Sequence, residues 1–221
     1  NYGCSPAKVM EKRAADFNTA DADGNAATFL ATRTAMNDGL TALQNEDMQG
    51  VVDARDEVLK NLVIVYSQAV LKYTSKMDSN DTAEKYQAEG YAFWKAIEAY
   101  AGPYMHDGCY NMAVGHKVMM MGEIDATTCD AFVFTPDEEG GTTGTCTNTV
   151  TEATSPDATT AEECDGYSSQ YYMDNYAATL MNNVLDLTDA DQLGTSYDVA
   201  PWLQPVWDHY GITSSDIGSM S

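Results

Sequence analysis

The distribution of charge along the chain limits how it can fold. Every Lys and Arg lies at or before Lys117. Residues 1–117 contain 16 acidic and 11 basic side chains, whereas residues 118–221 contain 18 acidic side chains and no basic one. Because the second half cannot form salt bridges internally, we expect disulfides, cations such as Ca²⁺, or packing against the first half to hold it together.

The net charge of −23 over 221 residues excludes several partners. Binding to nucleic acid requires Lys and Arg to replace phosphate counterions, and an anionic membrane repels an acidic surface. No apolar run approaches the roughly 20 residues of a spanning helix. No nucleophile, nucleotide-binding or zinc-hydrolase motif is present, so we do not expect an enzyme.

The cysteines indicate an oxidising compartment. None of the five is spaced as CxxC, and three of them, Cys129, Cys146 and Cys164, fall in or beside a Gly/Thr-rich segment that needs a covalent restraint. We predict at least one disulfide among these three, with Cys109 and Cys4 as further partners and the pairing open. The start at Asn1 and the sequon at Asn80 are typical of a mature secreted, periplasmic or cell-surface glycoprotein.

Hydrophobic periodicity predicts an all-α fold, an antiparallel helical bundle. We predict helices over 7–18, 27–44, 47–77 and 81–101, and a shorter one over 108–121. The apolar set of the second helix is Phe29, Leu30, Met36, Leu40 and Leu43. A long acidic loop insertion stapled by disulfides follows, with a short hairpin near 131–134. Helices over 168–187 and 201–212 form a C-terminal region. The helical bundle spans residues 1–121, the loop insertion 122–166 and the C-terminal region 167–221, and the three form a single domain.

Glu89 stands out in the fourth helix because it shares a face with Tyr86 and Phe93. A carboxylate on an apolar stripe must be paired, protonated or bound to a metal, and we predict that Glu89 is buried with a polar partner. The neighbouring Gly90 suggests a close approach or room for a ligand. Counting outward from the turn near Asn80 places Tyr73 close to Glu89.

Carboxylate and phenolate oxygens suit a hard cation such as Fe³⁺. The candidate ligands are Glu89, Tyr73, Tyr66 and His106, although Tyr66 and Tyr73 lie two helical turns apart and are not expected to share one ion. The alternative is that the tyrosines and Glu89 are hydrogen-bonded core residues. The loop at Asp21 begins like a calcium loop, but Thr32 replaces the final Glu, so we do not predict an EF-hand.

Two segments, Lys60 to Tyr73 and Ala88 to Ile97, carry a family resemblance. Together with Met77-Asp78 and, more weakly, the tail from Tyr210, they resemble the algal iron-assimilation (FEA-type) proteins. The resemblance implies a secreted or cell-surface protein related to the phytotransferrins. It also implies a synergistic anion such as carbonate, for which Arg55 or Arg33 would be the anchor.

Two hypotheses follow. The first is an extracellular iron-binding or iron-assimilation protein, and the second is a structural cell-surface protein that keeps the fold without metal. In the second case the odd cysteine and the acidic surface would serve self-association or a coat.

Overall fold

A computed structural model of the chain describes residues 5–79, 81–111, 117–122, 125–155, 158–165 and 170–220. The chain divides into two compact units. Unit 1 contains the described residues of 1–104 and 181–221, and unit 2 contains those of 105–180. These units divide the chain after residues 104 and 180, whereas the three segments predicted from the sequence divide it after residues 121 and 166.

Unit 1 begins with four helices at almost the predicted positions. They are α1 (Pro6–Phe17), α2 (Ala27–Gln44), α3 (Met48–Thr74) and α4 (Ala83–Ala101). The Ser5 hydroxyl caps α1 by accepting a hydrogen bond from Lys8 N, and Asp47 caps α3 through Gly50 N. The chain leaves α1 at Asn18, which adopts the left-handed conformation of a helix C-cap.

Helix α3 is the central element of unit 1. Its last three turns are buried on several faces, and the buried residues include Val63, Val65 and Val70 together with the polar Ser67 and Gln68. A helix that is buried all round needs internal partners for its polar groups. Gln68 Nε2 donates to Ile217 O at 2.8 Å, and Ser67 Oγ accepts from Trp207 Nε1 at 3.2 Å. These bonds fix the C-terminal elements against α3.

The C-terminal part of unit 1 contains α8 (Ala200–His209) and α9 (Ser214–Ile217). Before them, the chain is held to α4 by Gln87, whose Nε2 donates to the carbonyls of Val184 and Asp186. Residues 181–221, which carry no base, therefore pack against the first hundred residues. Packing of this kind was one of the three means of stabilisation expected for the acidic half.

Unit 2 contains two small antiparallel sheets, so the fold is largely helical and not purely α. One sheet has the order β2-β1-β5 and the other pairs β3 with β4. The strands are β1 (Asp107–Asn111), β2 (Lys117–Gly122), β3 (Phe132–Pro136), β4 (Gly144–Asn148) and β5 (Gln170–Met173). Three short helices, α5 (Ala126–Cys129), α6 (Ala161–Cys164) and α7 (Tyr176–Val184), complete the set, and α7 contains the boundary between the units.

Two predicted helices are therefore wrong. The segment 108–121 contains β1 and most of β2, and the segment 168–187 contains β5 followed by α7. A short apolar run such as Val118–Met121 does not distinguish a buried strand from a helix. Tyr-rich segments favour strands once a partner strand is present, and Cys109 on β1 pairs with Tyr172 on β5. The hairpin predicted near 131–134 is confirmed as β3 and β4.

Two disulfides, Cys109–Cys129 and Cys146–Cys164, lie in the core of unit 2. The second confirms the prediction of a disulfide among Cys129, Cys146 and Cys164. All four cysteines are nearly inaccessible and cluster with Phe132 and Ala158. Covalent links thus replace much of the apolar core that this polar segment lacks.

Unit 2 has 13 acidic side chains and one Lys, so its carboxylates must find other donors. Asp125 accepts from Thr128 N at 2.8 Å, and Glu163 accepts from Thr159 N at 2.9 Å and Thr160 N at 3.1 Å. Backbone hydrogen bonds hold the pKa of both carboxyl groups below their usual values. Backbone N–H groups therefore take the place of basic side chains.

We predict that removing the Cys146–Cys164 bridge destabilises unit 2 selectively. This bond spans 18 residues of sequence, and a loop of that size contributes about 3 kcal/mol in the chain-entropy model. Hydrogen exchange of the Cys146→Ser/Cys164→Ser variant should show lost protection in β3 and β4, with α3 as the internal control. Equal protection of β3 and β4 in the two proteins would contradict this account.

The capped carboxylates predict an acid-sensitive contribution to stability. Because the folded pKa of Asp125 is lowered from 3.8, its contribution is present above that value and is lost as the pH falls through the folded pKa. Asp125→Asn keeps the cap but does not titrate. Wild type should be the more thermostable protein at pH 7, and the difference should shrink as the pH falls below 3.8 and disappear below the folded pKa of Asp125. A difference that does not change with pH would contradict this assignment.

Candidate functional site

The candidate site of unit 1 surrounds a buried guanidinium, that of Arg13. The Arg13 side chain on α1 is 1% exposed, and its Nη2 lies 2.8 Å from Asp16 Oδ2. Asp16 Oδ1 lies 2.6 Å from Lys72 Nζ on α3, so one carboxylate joins two cations and two helices. Arg13 Nε and Nη1 have no aligned hydrogen-bond acceptor among the described residues. A buried charge is costly unless it is paired, so this network determines how α1 sits on α3.

Tyr73 on α3 lies against this guanidinium, with Arg13 Cζ 5.3 Å from the centre of its ring. Its ring stacks with Phe93 at 5.7 Å and with Tyr86 at 6.0 Å between centroids, and the residue is 5% exposed. The aromatic contacts join α3 to α4 and orient the ring. The Tyr73 phenol is consequently held in one place between a cation and a carboxylate.

That carboxylate belongs to Glu89 on α4. Burial, and then the hydrogen bond between Tyr73 and Glu89, raise the pKa of Tyr73, whereas the Arg13 guanidinium lowers it. Glu89 also lies 3.7 Å from Lys85 Nζ. The proximity of Tyr73 and Glu89 that was expected from helix pairing is thus present, and Glu89 has polar partners as predicted.

The prediction that Glu89 is buried is wrong, because its side chain is 35% exposed. The buried stripe of α4 is Ala83, Gln87, Gly90, Trp94, Ile97 and Ala101. This stripe is rotated by about one residue, or 100°, from the predicted face. Glu89 therefore lies at the edge of the helix interface, where solvent reaches the carboxylate while Tyr73 stays covered.

Gly90 marks a close helix approach. A Cβ at this position would lie 2.9 Å from Leu185 Cδ2 and 3.5 Å from Tyr73 Cβ. Leu185 is fully buried, so the absence of a side chain at Gly90 lets this leucine pack beside the tyrosine. Of the two alternatives for Gly90, the close approach is the one present, and protein atoms occupy the space where a ligand was the other possibility.

The other predicted site residues are not gathered around Tyr73. Tyr66 contacts Phe93 at 5.7 Å and packs against the α1 cluster of Met10 and Ala14. Arg55 is two-thirds exposed and pairs with Asp56. It lies 18 residues before Tyr73 on α3, which is about 27 Å along the axis.

The remaining predicted residues have other surroundings. Arg33 lies over the Phe29 ring at 5.8 Å, and His106 belongs to unit 2. Asn80 and Cys4 lie outside the described residues. Asp21 accepts from Asp23 N and Asn25 N, which close its own loop.

Sequence reasoning missed Arg13, Asp16 and Lys72. The one sequence feature that indicates an ion pair is that Arg13 and Asp16 lie three residues apart on α1. Pairs with this spacing are usually exposed on the helix surface. Burial of the pair depends on how α1 docks on α3. Within the described part of the chain, no group of three or more His, Cys, Asp or Glu side chains converges as metal ligands do.

Comparison with known proteins gives no relative, since no family model, curated protein or solved structure matches the chain. The resemblance to algal iron-assimilation proteins thus stays a prediction. None of the described helices combines the length and apolar character needed to cross a bilayer.

We predict that Asp16→Asn destabilises the protein by about 2–3 kcal/mol, since it leaves the buried Arg13 without a counterion. Asp56→Asn is the matched control. It removes the exposed partner of Arg55 and should change the free energy of unfolding by less than about 0.5 kcal/mol. Urea unfolding of the two variants measures the difference, and equal small effects would show that the network at Arg13 contributes little.

Proposed function

We propose that the protein is an extracellular iron-binding protein that carries ferric iron on the Tyr73 phenolate and the Glu89 carboxylate. The observation that carries this proposal is the arrangement of Tyr73 and Glu89, in which burial and the neighbouring solvent-accessible carboxylate raise the pKa of a sheltered phenol, and the buried Arg13 guanidinium lies against the phenol ring. Disulfides are compatible with an oxidising, extracellular location.

The chemistry of the pair supports a hard cation. Both donors are oxygens, which Fe³⁺ prefers over softer ligands. The phenol holds its proton at neutral pH, so binding must release that proton to solvent. Burial and Glu89 raise the pKa of Tyr73, and Arg13 offsets part of that rise, which favours the phenolate form that a ferric ion needs. Affinity should consequently weaken as the pH falls.

Two protein oxygens do not complete a ferric coordination sphere, so solvent or a small oxyanion must supply the other ligands. Carbonate belongs to the proposal as that anion. Arg13, whose Nε and Nη1 lack aligned acceptors among the described residues, is the guanidinium beside Tyr73, in place of Arg55 or Arg33. Bidentate hydrogen bonds from a guanidinium suit a planar oxyanion.

The second candidate is a structural cell-surface protein with the same fold and no metal. One observation favours it. Glu89 already has Lys85 and Tyr73 as neighbours, and Asp16 already pairs with both Arg13 and Lys72 within unit 1. In that case Tyr73 and Glu89 serve packing and orientation alone.

Ferric titration distinguishes the two candidates, because a ferric phenolate absorbs visible light. Wild type should develop a visible band that saturates at one equivalent, and Tyr73→Phe should lose it. Tyr66→Phe is the matched control, since Tyr66 also lies on α3 and contacts Phe93 but is not the tyrosine beside Glu89. Glu89→Gln should weaken iron binding at least tenfold, which corresponds to about 1.4 kcal/mol.

Three results would contradict the iron-binding proposal. They are no visible band in wild type, a band that survives Tyr73→Phe, and equal losses in Tyr73→Phe and Tyr66→Phe. Circular dichroism of each variant checks that the helices are intact. If the wild-type protein is folded but develops no visible band with ferric iron, the result favours the second candidate, a structural cell-surface protein without metal.

A further inference from the structure

Unit 1 contains a groove of about 970 Å³ that is separate from the candidate iron site. Residues between 53 and 62 of α3 line it together with four aromatic side chains from the ends of α4 and α8, which are Tyr100, Tyr104, His209 and Tyr210. The volume is at the upper end of the roughly 300–1,000 Å³ that ligand pockets usually have. The groove is therefore large enough for a ligand of several rings.

The aromatic side chains of the groove hold one another in place. His209 stacks on Tyr104, with 3.5 Å between the ring centroids and 14° between the ring planes. The Tyr210 ring lies nearly perpendicular to both, at 84° to Tyr104 and 89° to His209. Its hydroxyl donates to Tyr100 O at 3.0 Å, which joins the end of α8 to the end of α4. Rings that are already fixed lose little conformational freedom when a ligand binds.

The same rings are open to solvent. Tyr100 is 50% exposed and Tyr104 is 39% exposed, and they are the two aromatic residues among the exposed large apolar side chains in the described part of the chain. A ring stacked on one neighbour is covered on one face only, so a ligand with a flat apolar face can pack on the remaining ring surface. Exposed aromatic surface within a groove is typical of a binding site.

Helix α3 supplies hydrogen-bonding groups of both kinds to the groove. Arg55 Nε and Nη2 donate to Asp56 Oδ1 at 2.8 Å and 2.6 Å, and the two side chains are 66% and 56% exposed. Because both bonds use one carboxylate oxygen, Asp56 can accept further hydrogen bonds and Arg55 can donate them. Lys60, whose Nζ is held by Gly211 O at 2.9 Å, and Glu57 add a second donor and a second acceptor.

The charges of the groove favour a neutral ligand over an ion. Its lining contains the carboxylates of Asp53, Asp56 and Glu57 and the cations of Arg55 and Lys60, a net charge of −1 with the histidine neutral. A cation is attracted by ring faces and carboxylates, but the two basic side chains repel it. An anion is repelled by the three carboxylates and by the net charge of −23. A neutral ligand with hydroxyl groups can use the side chains of both signs as hydrogen-bond partners.

We propose that this groove binds a neutral oligosaccharide. A sugar ring has an apolar C–H face that packs on an aromatic ring, and its hydroxyls both donate and accept hydrogen bonds. Tyr100 and Tyr104 contact the C–H faces, and Arg55 and Asp56 bind the hydroxyls. Because the groove has room for several sugar units, a chain of sugars should bind more tightly than a single unit. This inference does not depend on iron binding.

Chemical-shift titration by NMR of the full chain with maltohexaose, mannohexaose and chitohexaose tests the proposal. At least one of these should bind with a dissociation constant of about 1 mM or below, and at least tenfold more tightly than its monosaccharide. The affinity should be the same at low and high NaCl concentration, because salt does not screen the binding of a neutral ligand.

Three variants locate the binding in the groove. Tyr104→Ala should weaken it at least tenfold, whereas Tyr104→Phe keeps the ring and should stay within about twofold of wild type. Arg55→Gln should weaken the binding of a sugar, but it would strengthen the binding of a cation. Tyr91→Ala is the matched control and should bind as wild type does, because Tyr91 lies on α4 beside Lys95 and does not line the groove.

Several results would overturn the proposal. They are no binding of any of the three hexasaccharides at about 10 mM, which is ten times the expected dissociation constant, binding that Tyr104→Ala leaves unchanged, and equal losses in Tyr104→Ala and Tyr91→Ala. Binding of tetramethylammonium that Arg55→Gln strengthens, without binding of a hexasaccharide, would assign the groove to a cation. Thermal unfolding checks each variant, and the exposed change Arg55→Gln keeps the test valid if Tyr104→Ala does not fold.

Discussion

The buried guanidinium of Arg13 is the interaction on which unit 1 and its candidate site both depend. A charge that is 1% exposed must have partners, and Asp16, Lys72 and the Tyr73 ring supply them. These partners join α1 to α3, and Tyr73 extends the same network to Glu89 on α4. The docking of α1 on α3 therefore depends on one cation, which also offsets part of the rise in the pKa of Tyr73 that burial and Glu89 cause.

Charge is handled differently in the two units. Unit 1 contains all but one of the basic residues and compensates its buried Arg13 with an ion pair to Asp16. Unit 2 contains a single Lys, and its carboxylates accept hydrogen bonds from backbone N–H groups at Asp125 and Glu163. Short capped helices and two buried disulfides follow from that limitation, because a polar segment of this kind cannot build a large apolar core.

Periodicity predicted the first four helices to within a few residues, because their apolar spacing and caps are local properties. It failed where the outcome depends on distant partners, as in β1, β2 and β5, which form strands by pairing with one another. The helix pairing that brought Tyr73 to Glu89 was predictable from the turn between α3 and α4. The burial of Arg13 was not, because it depends on the docking angle of α1.

The same distinction applies to the faces of the helices. A one-residue error in the α4 stripe moved Glu89 from the predicted core to the edge of the interface. On α2 the predicted apolar set is only partly inward, because Phe29 packs on the α1 cluster whereas Met36, Leu40 and Leu43 are exposed and small residues make the close contact with α3. Periodicity identifies an apolar face without showing whether this chain or another covers it.

The central claim is that Tyr73 and Glu89 act together as oxygen ligands for a trivalent metal. Gallium(III), a diamagnetic substitute for ferric iron, allows this claim to be tested by NMR with ¹³Cζ-labelled tyrosine. On titration at neutral pH, the Tyr73 signal should move to the phenolate position while the Tyr66 signal stays in place. If the Tyr73 signal does not move when excess gallium is added, the phenol keeps its proton and the claim is contradicted.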